Sequence, residues 1–332
     1  MRTVVIVVAV ALATVFTYLA LTPLCACEHE DGAAATPAPI APDARSRLTW
    51  AQAAPLSTPR SEVASAFLDG KIYIAGGFEA DGSNSRVVEA YDPRTNVWQE
   101  RAPLPEARDH AMAAAFAGKL YVFGGNGRLG ESSSVFVYDP ASDAWTRARA
   151  LPLPRSAGGA AVLGDRIVVA GGVGPSPEVT QIYEPAQDRW SIGPALAAPR
   201  EHLAVVADGE RVYVIGGRWA NQLKSTNEVL DSVSGIWRRV SSLPTARGGT
   251  SAGAVNGRIF VAGGEAFGPE RTFPQVEVYD PERDAWSTAP ELPTPRHGLA
   301  VQGAGNLLYV IGGGPTAGLS VSDRNEALGP AP

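Results

Sequence analysis

Three residue types recur along this chain at one common spacing. Six glycine pairs, six tryptophans and six arginines form matching series, in which successive members lie 48, 47, 45, 47 and 49 residues apart. The glycine pairs begin at Gly76, Gly124, Gly171, Gly216, Gly263 and Gly312. The tryptophans are Trp50, Trp98, Trp145, Trp190, Trp237 and Trp286, and the arginines are Arg60, Arg108, Arg155, Arg200, Arg247 and Arg296. A period shared by three residue types indicates an array of structural repeats.

Each repeat is compatible with four short strands. A small apolar run follows the arginine, and a glycine turn leads to an apolar strand such as "IYIAGG" that ends in the glycine pair. A strand such as "VVEAYDP" comes next, and the tryptophan lies on the last strand. The 36 glycines and 27 prolines favour turns and short strands over long helices. No part of the repeat has helical periodicity.

A four-stranded sheet of this size is not stable alone, but six sheets arranged radially bury each other's faces. The double glycine, the tyrosine of the third strand and the following tryptophan resemble the kelch-repeat family of β-propellers over about residues 46–328. The resemblance implies an all-β, six-bladed propeller with four antiparallel strands per blade. Leu230 departs from the pattern, because it stands where the other complete repeats carry tyrosine.

The repeats are out of phase with the chain. Trp50 comes before the first glycine pair, whereas the last pair, Gly312 and Gly313, has no tryptophan after it. We therefore predict that the segment around Trp50 forms the outer strand of the sixth blade. Its neighbour would be the segment 325–328, which parallels 227–230. Pairing of the two chain ends would close the ring.

The N-terminal segment predicts a location outside the cytoplasm. Residues 4–24 are apolar and follow Arg2, so residues 1–27 could be a retained membrane anchor, a lipoprotein signal with lipidation at Cys27, or a cleaved signal peptide. Residues 28–45, rich in proline and alanine, predict a disordered tether, and residues 329–332 a short tail. We expect a monomer at the periplasmic or cell-surface side, attached to the membrane through its N-terminus only.

Composition excludes several functions. The net charge of −6 and the lack of a basic stripe argue against nucleic-acid binding. Both cysteines, Cys25 and Cys27, precede the repeats, so the propeller has no disulfide and no cysteine for the copper-radical chemistry of related propellers. No catalytic motif is present, and no cofactor is expected.

The repeat arginines have two interpretations. They lie where one blade passes to the next, and a ring of cations there could bind a carboxylate or a sugar acid. Alternatively, each arginine could hold backbone carbonyls or an acid of the third strand, such as Glu89, Glu228, Glu277 or Glu326. Repetition in every blade favours the structural role. Arg108, Arg200 and Arg296 are retained as candidate ligand-binding residues.

Three histidines follow repeat arginines in the second, fourth and sixth blades. His110, His202 and His297 could converge on the channel as a metal site or as acid–base groups. Similar kelch repeats often carry a histidine here without a catalytic role. Metal ligands lie only a few Å apart, and alternate blades of a wide ring are expected to be farther apart. We therefore predict no metal site and keep the histidines as candidate binding residues.

The loops between the second and third strands break the symmetry of the repeats. They are predicted to emerge on the same face as the connections between blades, because antiparallel strands alternate in direction. Aromatic and arginine residues on loops are typical of binding hot spots, although they could equally pack on the adjacent blade. The candidates are Phe78, Arg218, Trp219, Phe267 and Arg271.

Two functions remain open. The first is a binding scaffold that recognises a protein or glycan through the loop face. The second is a channel-mouth site that binds or isomerises a sugar acid, as some periplasmic six-bladed kelch proteins do with sialic acids. Such an enzyme needs an unpaired carboxylate near the arginines, and Glu62, Asp109 and Glu201 are the candidates.

Overall fold

A computed structural model describes residues 48–331. These residues form six four-stranded antiparallel sheets, which confirms the predicted six-bladed propeller. The predictions for residues 1–27, including lipidation of Cys27, and for the tether fall outside the described residues. Within residues 48–331, no helix is long and apolar enough to cross a membrane.

The four strands of each blade follow the predicted repeat. The first strands are Ala64–Leu68, Met112–Phe116, Gly159–Leu163, Ala204–Ala207, Ser251–Val255 and Ala300–Ala304. The second strands are Lys71–Ala75, Lys119–Phe123, Arg166–Ala170, Arg211–Ile215, Arg258–Ala262 and Leu307–Ile311. The third strands are Val88–Asp92, Val135–Asp139, Val179–Glu184, Asn227–Asp231, Val276–Asp280 and Asn325–Pro330. The fourth strands are Val97–Arg101, Ala144–Ala148, Arg189–Ala195, Trp237–Val240, Ala285–Thr288 and Leu48–Gln52.

Short secondary-structure elements lie in the loops between these strands. A 3₁₀ turn occupies Pro185–Gln187. Three of the loops between second and third strands form small hairpins. Their strands are Asn126–Gly127 with Gly130–Glu131, Arg218–Trp219 with Gln222–Leu223, and Glu265–Phe267 with Glu270–Thr272.

The two ends of the described chain meet in the sixth blade. Leu48–Gln52 pairs antiparallel with Asn325–Pro330, and Trp50 lies opposite Leu328. Ring closure by the N-terminal outer strand is therefore confirmed. The last strand runs to Pro330, beyond the predicted propeller boundary at residue 328, because Leu48 pairs with Pro330.

Neighbouring blades are joined through their outer strands. The indole N–H of Trp145 donates to the carbonyl of Ala102 in the preceding blade at 2.7 Å. Asp143, in the turn before that tryptophan, accepts from the backbone N–H of Ala102 at 3.0 Å and from the Tyr138 hydroxyl. The same tryptophan bond to the preceding blade is made by Trp98, Trp190 and Trp286. These repeated bonds explain why tryptophan recurs with the period of the blades.

The first strands surround a central channel of about 330 Å³. Their channel-facing residues are mostly alanine, glycine, serine and valine, because six strands can approach one axis only with small side chains. The channel leads to the loop face, where the sequence placed the candidate site.

Candidate functional site

The loop face brings together the connections between blades and the loops that follow the glycine pairs. In every blade, the residue after the repeat arginine pairs with the residue after the glycine pair. These bridges are Ser61–Phe78, Asp109–Asn126, Ser156–Val173, Glu201–Arg218, Gly248–Glu265 and His297–Gly314. Both sets of loops therefore lie on one face, as predicted.

A closed circle of six backbone hydrogen bonds surrounds the channel mouth. The N–H of each participating residue donates to the carbonyl of its counterpart in the adjacent blade, with donor–acceptor distances of 2.7 to 3.0 Å. Followed from donor to acceptor, the circle runs Glu62, Gly298, Gly249, His202, Ala157, His110 and back to Glu62. This circle fixes the spacing of whatever side chains these positions carry.

Every position of the circle has a left-handed backbone, which favours glycine. Blades five and six use Gly249 and Gly298, with φ of 65° and 57°. Glu62, His110 and His202 adopt φ of 52°, 50° and 52° in the same circle. A non-glycine residue in this region costs about 1–3 kcal/mol, and such strain concentrates at functional sites.

The side chains of this circle meet over the channel. Nε2 of His110 lies 2.9 Å from Nε2 of His202 and 3.3 Å from Oε2 of Glu62. Nδ1 of His297 lies 3.1 Å from the other Glu62 oxygen, Oε1. The expectation that histidines of alternate blades are too far apart was wrong, because their side chains extend inward from a narrow circle.

Acidic groups hold the outer nitrogens of two of these imidazoles. Nδ1 of His110 contacts Oδ1 of Asp109, which also accepts from the Asn126 amide at 2.9 Å. Nδ1 of His202 lies against the Glu201 carboxylate, whose other oxygen pairs with Nε of Arg218 at 2.9 Å. Asp109 is therefore hydrogen-bonded to His110, and Glu201 is paired with Arg218 while it lies against His202, so neither carboxylate is unpaired.

Glu265 belongs to the cluster although the sequence analysis did not select it. Its carboxylate is 2% exposed, pairs with Nη1 of Arg218 at 2.6 Å, and lies 3.4 Å from Nδ1 of His297. Glu265 directly follows a glycine pair, as Arg218 does in the preceding blade. The opposite charges of Arg218 and Glu265 at equivalent positions of adjacent blades could have predicted their ion pair from the sequence.

The residues of the cluster have pKa values that are shifted in different directions. Burial opposes the charge of Glu62, but the neighbouring His110 and a hydrogen bond from His297 hold the pKa of Glu62 below its ordinary value. Burial alone would lower the pKa of His110, yet Glu62 and Asp109 raise it overall. Burial lowers the pKa of His202 to about 3, despite the attraction of Glu62. The pKa values of these two imidazoles, which are in contact, are thus shifted in opposite directions.

Four of the six repeat arginines are buried in ion pairs with third-strand acids of their own blades, which we call wall pairs. Arg200 pairs with Glu228 at 2.5 Å and Arg296 with Glu326 at 2.7 Å, and all four side chains are at most 2% exposed. The same pairing joins Arg60 to Glu89 and Arg247 to Glu277. The proposed role of Arg200 and Arg296 as ligand-binding cations is not supported, because their guanidinium groups are sequestered by third-strand acids.

Arg108 is the exception among the three arginine candidates. It bonds Glu106 and the hydroxyls of Ser132 and Ser134 instead of a third-strand acid. It borders a groove of about 750 Å³ between the loops of blades one and two, away from the histidine cluster.

The loop candidates divide into two groups. Phe78 lies edge-on to His110 with ring centroids 5.5 Å apart, and the Arg218 guanidinium covers the ring of the half-exposed Phe267 at 4.9 Å. These three residues border the cluster. Arg271 stacks instead on the buried Phe273, and Trp219 lies part-buried on its short hairpin.

Comparison with known proteins agrees with this architecture. The family model of the Attractin/LZTR1 β-propeller matches residues 72–321, which is well over half of the chain. The chain belongs to this family. This β-propeller is also similar to the solved structure titled "Structure of YjhT", with 19% identity and a TM-score of 0.72, over 82% of this chain and 95% of that one. At this identity the similarity shows the fold alone. No curated protein matches the chain in a sequence comparison.

Proposed function

We propose that this propeller is a binding module that recognises a glycan at the mouth of its central channel. The observation that carries the proposal is the placement of Glu62, His110 and His202 at strained backbone positions. Glycine occupies the equivalent positions in two other blades without strain. Four of the six positions carry a side chain on this backbone, and in three of them, unlike Ala157, the side chain is an acid or an imidazole that reaches the channel axis. Backbone strain of this kind concentrates at functional sites.

The chemistry of the mouth suits a hydroxylated ligand. Imidazole nitrogens and carboxylate oxygens alternate within 3.4 Å of one another, and a sugar hydroxyl both donates and accepts hydrogen bonds. Phe78 and Phe267 provide flanking aromatic rings that can pack on the apolar face of a sugar. A glycan therefore fits the mouth better than a protein side chain does.

The charges at the mouth favour a neutral sugar over a sugar acid. Four carboxylates lie in or against the cluster, and Arg218 is already shared between Glu201 and Glu265. Four of the repeat arginines are already paired with third-strand acids. The carboxylates are Glu62, Asp109, Glu201 and Glu265. An anionic ligand would face more negative than free positive charge.

A second candidate function is acid–base isomerisation of the bound sugar. The raised pKa of His110 and the lowered pKa of His202 separate a proton donor from a proton acceptor 2.9 Å apart. Divergent pKa values in neighbouring groups are typical of acid–base pairs. Catalysis would appear as accelerated interconversion of sugar anomers, measured by NMR exchange, and its loss in His110→Gln would identify the donor.

Binding can be tested with the full-length protein on an array of neutral and acidic glycans. We expect neutral sugars to bind and His202→Gly or Glu62→Gln to weaken binding about tenfold or more, because each removes a hydrogen bond to a polar ligand. Ile192→Ala changes an exposed outer-strand residue of the third blade and serves as the matched control.

Three results would contradict the proposal. These are the absence of any glycan ligand, binding that persists in both site variants, and preferential binding of sugar acids. A protein partner that is lost with Trp219→Ala but retained with His202→Gly would establish the loop-face scaffold instead.

We also propose that residues 1–27 hold the propeller at a membrane outside the cytoplasm. Support comes from the apolar run after Arg2 and from Cys27 after a small residue. Cell fractionation of the native protein and of Cys27→Ala tests this. Release of the variant indicates lipidation, retention of both indicates an anchor, and release of both contradicts the proposal.

A further inference from the structure

Ligand atoms of Glu62, His110 and His202 converge within 4.8 Å of one another over the channel. Both imidazoles direct Nδ1 at a carboxylate, Asp109 for His110 and Glu201 for His202. A carboxylate accepts hydrogen bonds, which assigns the ring proton of each neutral imidazole to Nδ1. The two Nε2 atoms then present lone pairs to each other at 2.9 Å. Either a proton on His110 or a metal ion bound by both nitrogens removes the repulsion between these lone pairs, and the metal ion also accounts for the nearby Glu62 carboxylate.

We propose that Glu62, His110 and His202 bind a divalent first-row transition metal ion. Ligand atoms held 2.0–2.1 Å from one ion in octahedral or tetrahedral geometry lie about 2.9 to 3.4 Å apart. The observed separations, 2.9 Å between the imidazole nitrogens and 3.3 Å from His110 to Glu62, fall in that range. Two imidazoles and one carboxylate favour zinc, iron, cobalt or nickel over magnesium or calcium.

The surroundings of the three ligands match those of known metal centres. Metal-binding histidines usually donate their second nitrogen to a carboxylate that is itself hydrogen-bonded. Asp109 is held by the Asn126 amide and Glu201 by Arg218. The second oxygen of Glu62 is held by His297. All three ligands are thus oriented by further groups, which single histidines at a protein surface do not have.

The backbone supplies an independent observation. The three ligands occupy left-handed positions of the hydrogen-bonded circle, with φ between 50° and 52°. The circle sets the separation of their side chains before any ion binds, so little reorganisation is needed.

The metal centre would contribute to the proposed binding of a sugar. The choice of a sugar as the further ligand of the ion rests on the proposed function. Three protein ligands leave coordination positions open. Adjacent hydroxyls of a sugar would fill them from the loop face. Metal binding itself does not depend on the sugar, so the two proposals can be tested separately.

The test uses the chelator-treated, full-length protein and metal salts alone. We expect isothermal titration calorimetry to give one zinc or cobalt ion per chain, and bound cobalt to show the visible absorption of a site with nitrogen ligands. Magnesium should not compete. His202→Gly should abolish binding, and Asp109→Asn should weaken it about 10- to 100-fold, because Asp109 orients His110. Glu131→Gln, an exposed acid on the hairpin of the second blade, is the matched control.

His202→Gly introduces the residue that the fold itself uses at this position in two blades, so the variant should fold. The melting temperature of its metal-free form should equal or exceed that of the parent, whereas a purely structural histidine predicts a decrease. If the variant fails to fold, His110→Gln provides the same comparison. Absence of stoichiometric binding, or binding unchanged in the histidine variant, would overturn the metal site. Glycan binding that persists in chelator would leave the proposed function standing without it.

Discussion

The wall pairs and the mouth of the channel both contain buried charged residues, but these residues differ in how they recur. The arginine–glutamate wall pairs are found in four blades and are almost completely buried. At the mouth, histidines and acids occupy a few blades only, and Glu62, His110 and His202 adopt a left-handed backbone that glycine adopts in two other blades. Repetition thus marks the residues that hold the ring together, and interruption of the repeat marks the candidate site. Changes in the wall pairs should alter stability, and changes at the mouth should alter binding.

The largest effect is expected from removing the strand that closes the ring. Deletion of residues 46–53 leaves Asn325–Pro330 without its outer neighbour and removes the packing of Trp50. We expect loss of the cooperative thermal transition measured by circular dichroism. A truncated protein that keeps the parent melting temperature would show that closure is not essential.

A wall pair should have the next largest effect. Arg200→Ala leaves Glu228 buried without its partner, which is expected to reduce the free energy of unfolding by about 3–5 kcal/mol. Arg189→Ala breaks an exposed pair with Glu184 in an outer strand and should change stability by about 0.5 kcal/mol or less. Urea denaturation measures both. Equal effects of the two variants would remove the distinction between wall and surface pairs.

At the channel mouth, replacing a charged or polar side chain should increase the free energy of unfolding instead of reducing it. His202→Gly relieves a left-handed backbone and should raise the free energy of unfolding by about 1 kcal/mol. Gly249→Ala imposes that backbone on a side chain at the equivalent position and should lower it by a similar amount. Urea denaturation of the metal-free variants provides the measurement. If the histidine variant is the less stable of the two, the imidazole is structural.

The smallest expected effect is on the stability of the protein at low pH. Hydrogen bonds from the Ala102 N–H and the Tyr138 hydroxyl hold the pKa of Asp143 below its ordinary value. A carboxyl with a depressed folded-state pKa stabilises the protein above its unfolded pKa, near 4, and this contribution is lost as pH falls through the folded pKa. Asp143→Asn should therefore flatten the loss of stability below about pH 4.

The junction between the sixth and first blades provides the control for this experiment. There Asn96 takes the place of the aspartate and accepts from the Ala54 N–H and the Tyr91 hydroxyl. Asn96→Asp should make this junction acid-sensitive as well. Acid unfolding curves that are the same for the parent and both variants would show that these bonds do not contribute to pH stability.

Much of the architecture could be predicted because it depends on residues that recur with the period of the blades. The spacing of Trp50 from the first glycine pair predicted the closing strand, and the alternation of antiparallel strands predicted the face of the loops. The acids that pair with Arg200 and Arg296 were identified by their place in the third strand. Each of these inferences needs only local strand geometry and the repeat length.

The candidate site could be predicted only in part. His110, His202, Glu62 and Arg218 were selected from the sequence, but their convergence was not. Their separation depends on the radius of the hydrogen-bonded circle, which exists only after six blades have closed. Glu265 was not selected because a single acid after a glycine pair resembles an ordinary exposed loop residue.

The sequence by itself determined the number of blades, the strands in each blade and the way the ends join, because hydrophobic period and turn residues act along the chain. Only the tertiary structure decided which charged residues face each other. Residues of blades one, two, four and six become neighbours at the axis, and no spacing along the chain encodes how far a side chain reaches towards it. The assignment of four arginines to the wall pairs and of the histidines to one cluster follows from that radial geometry.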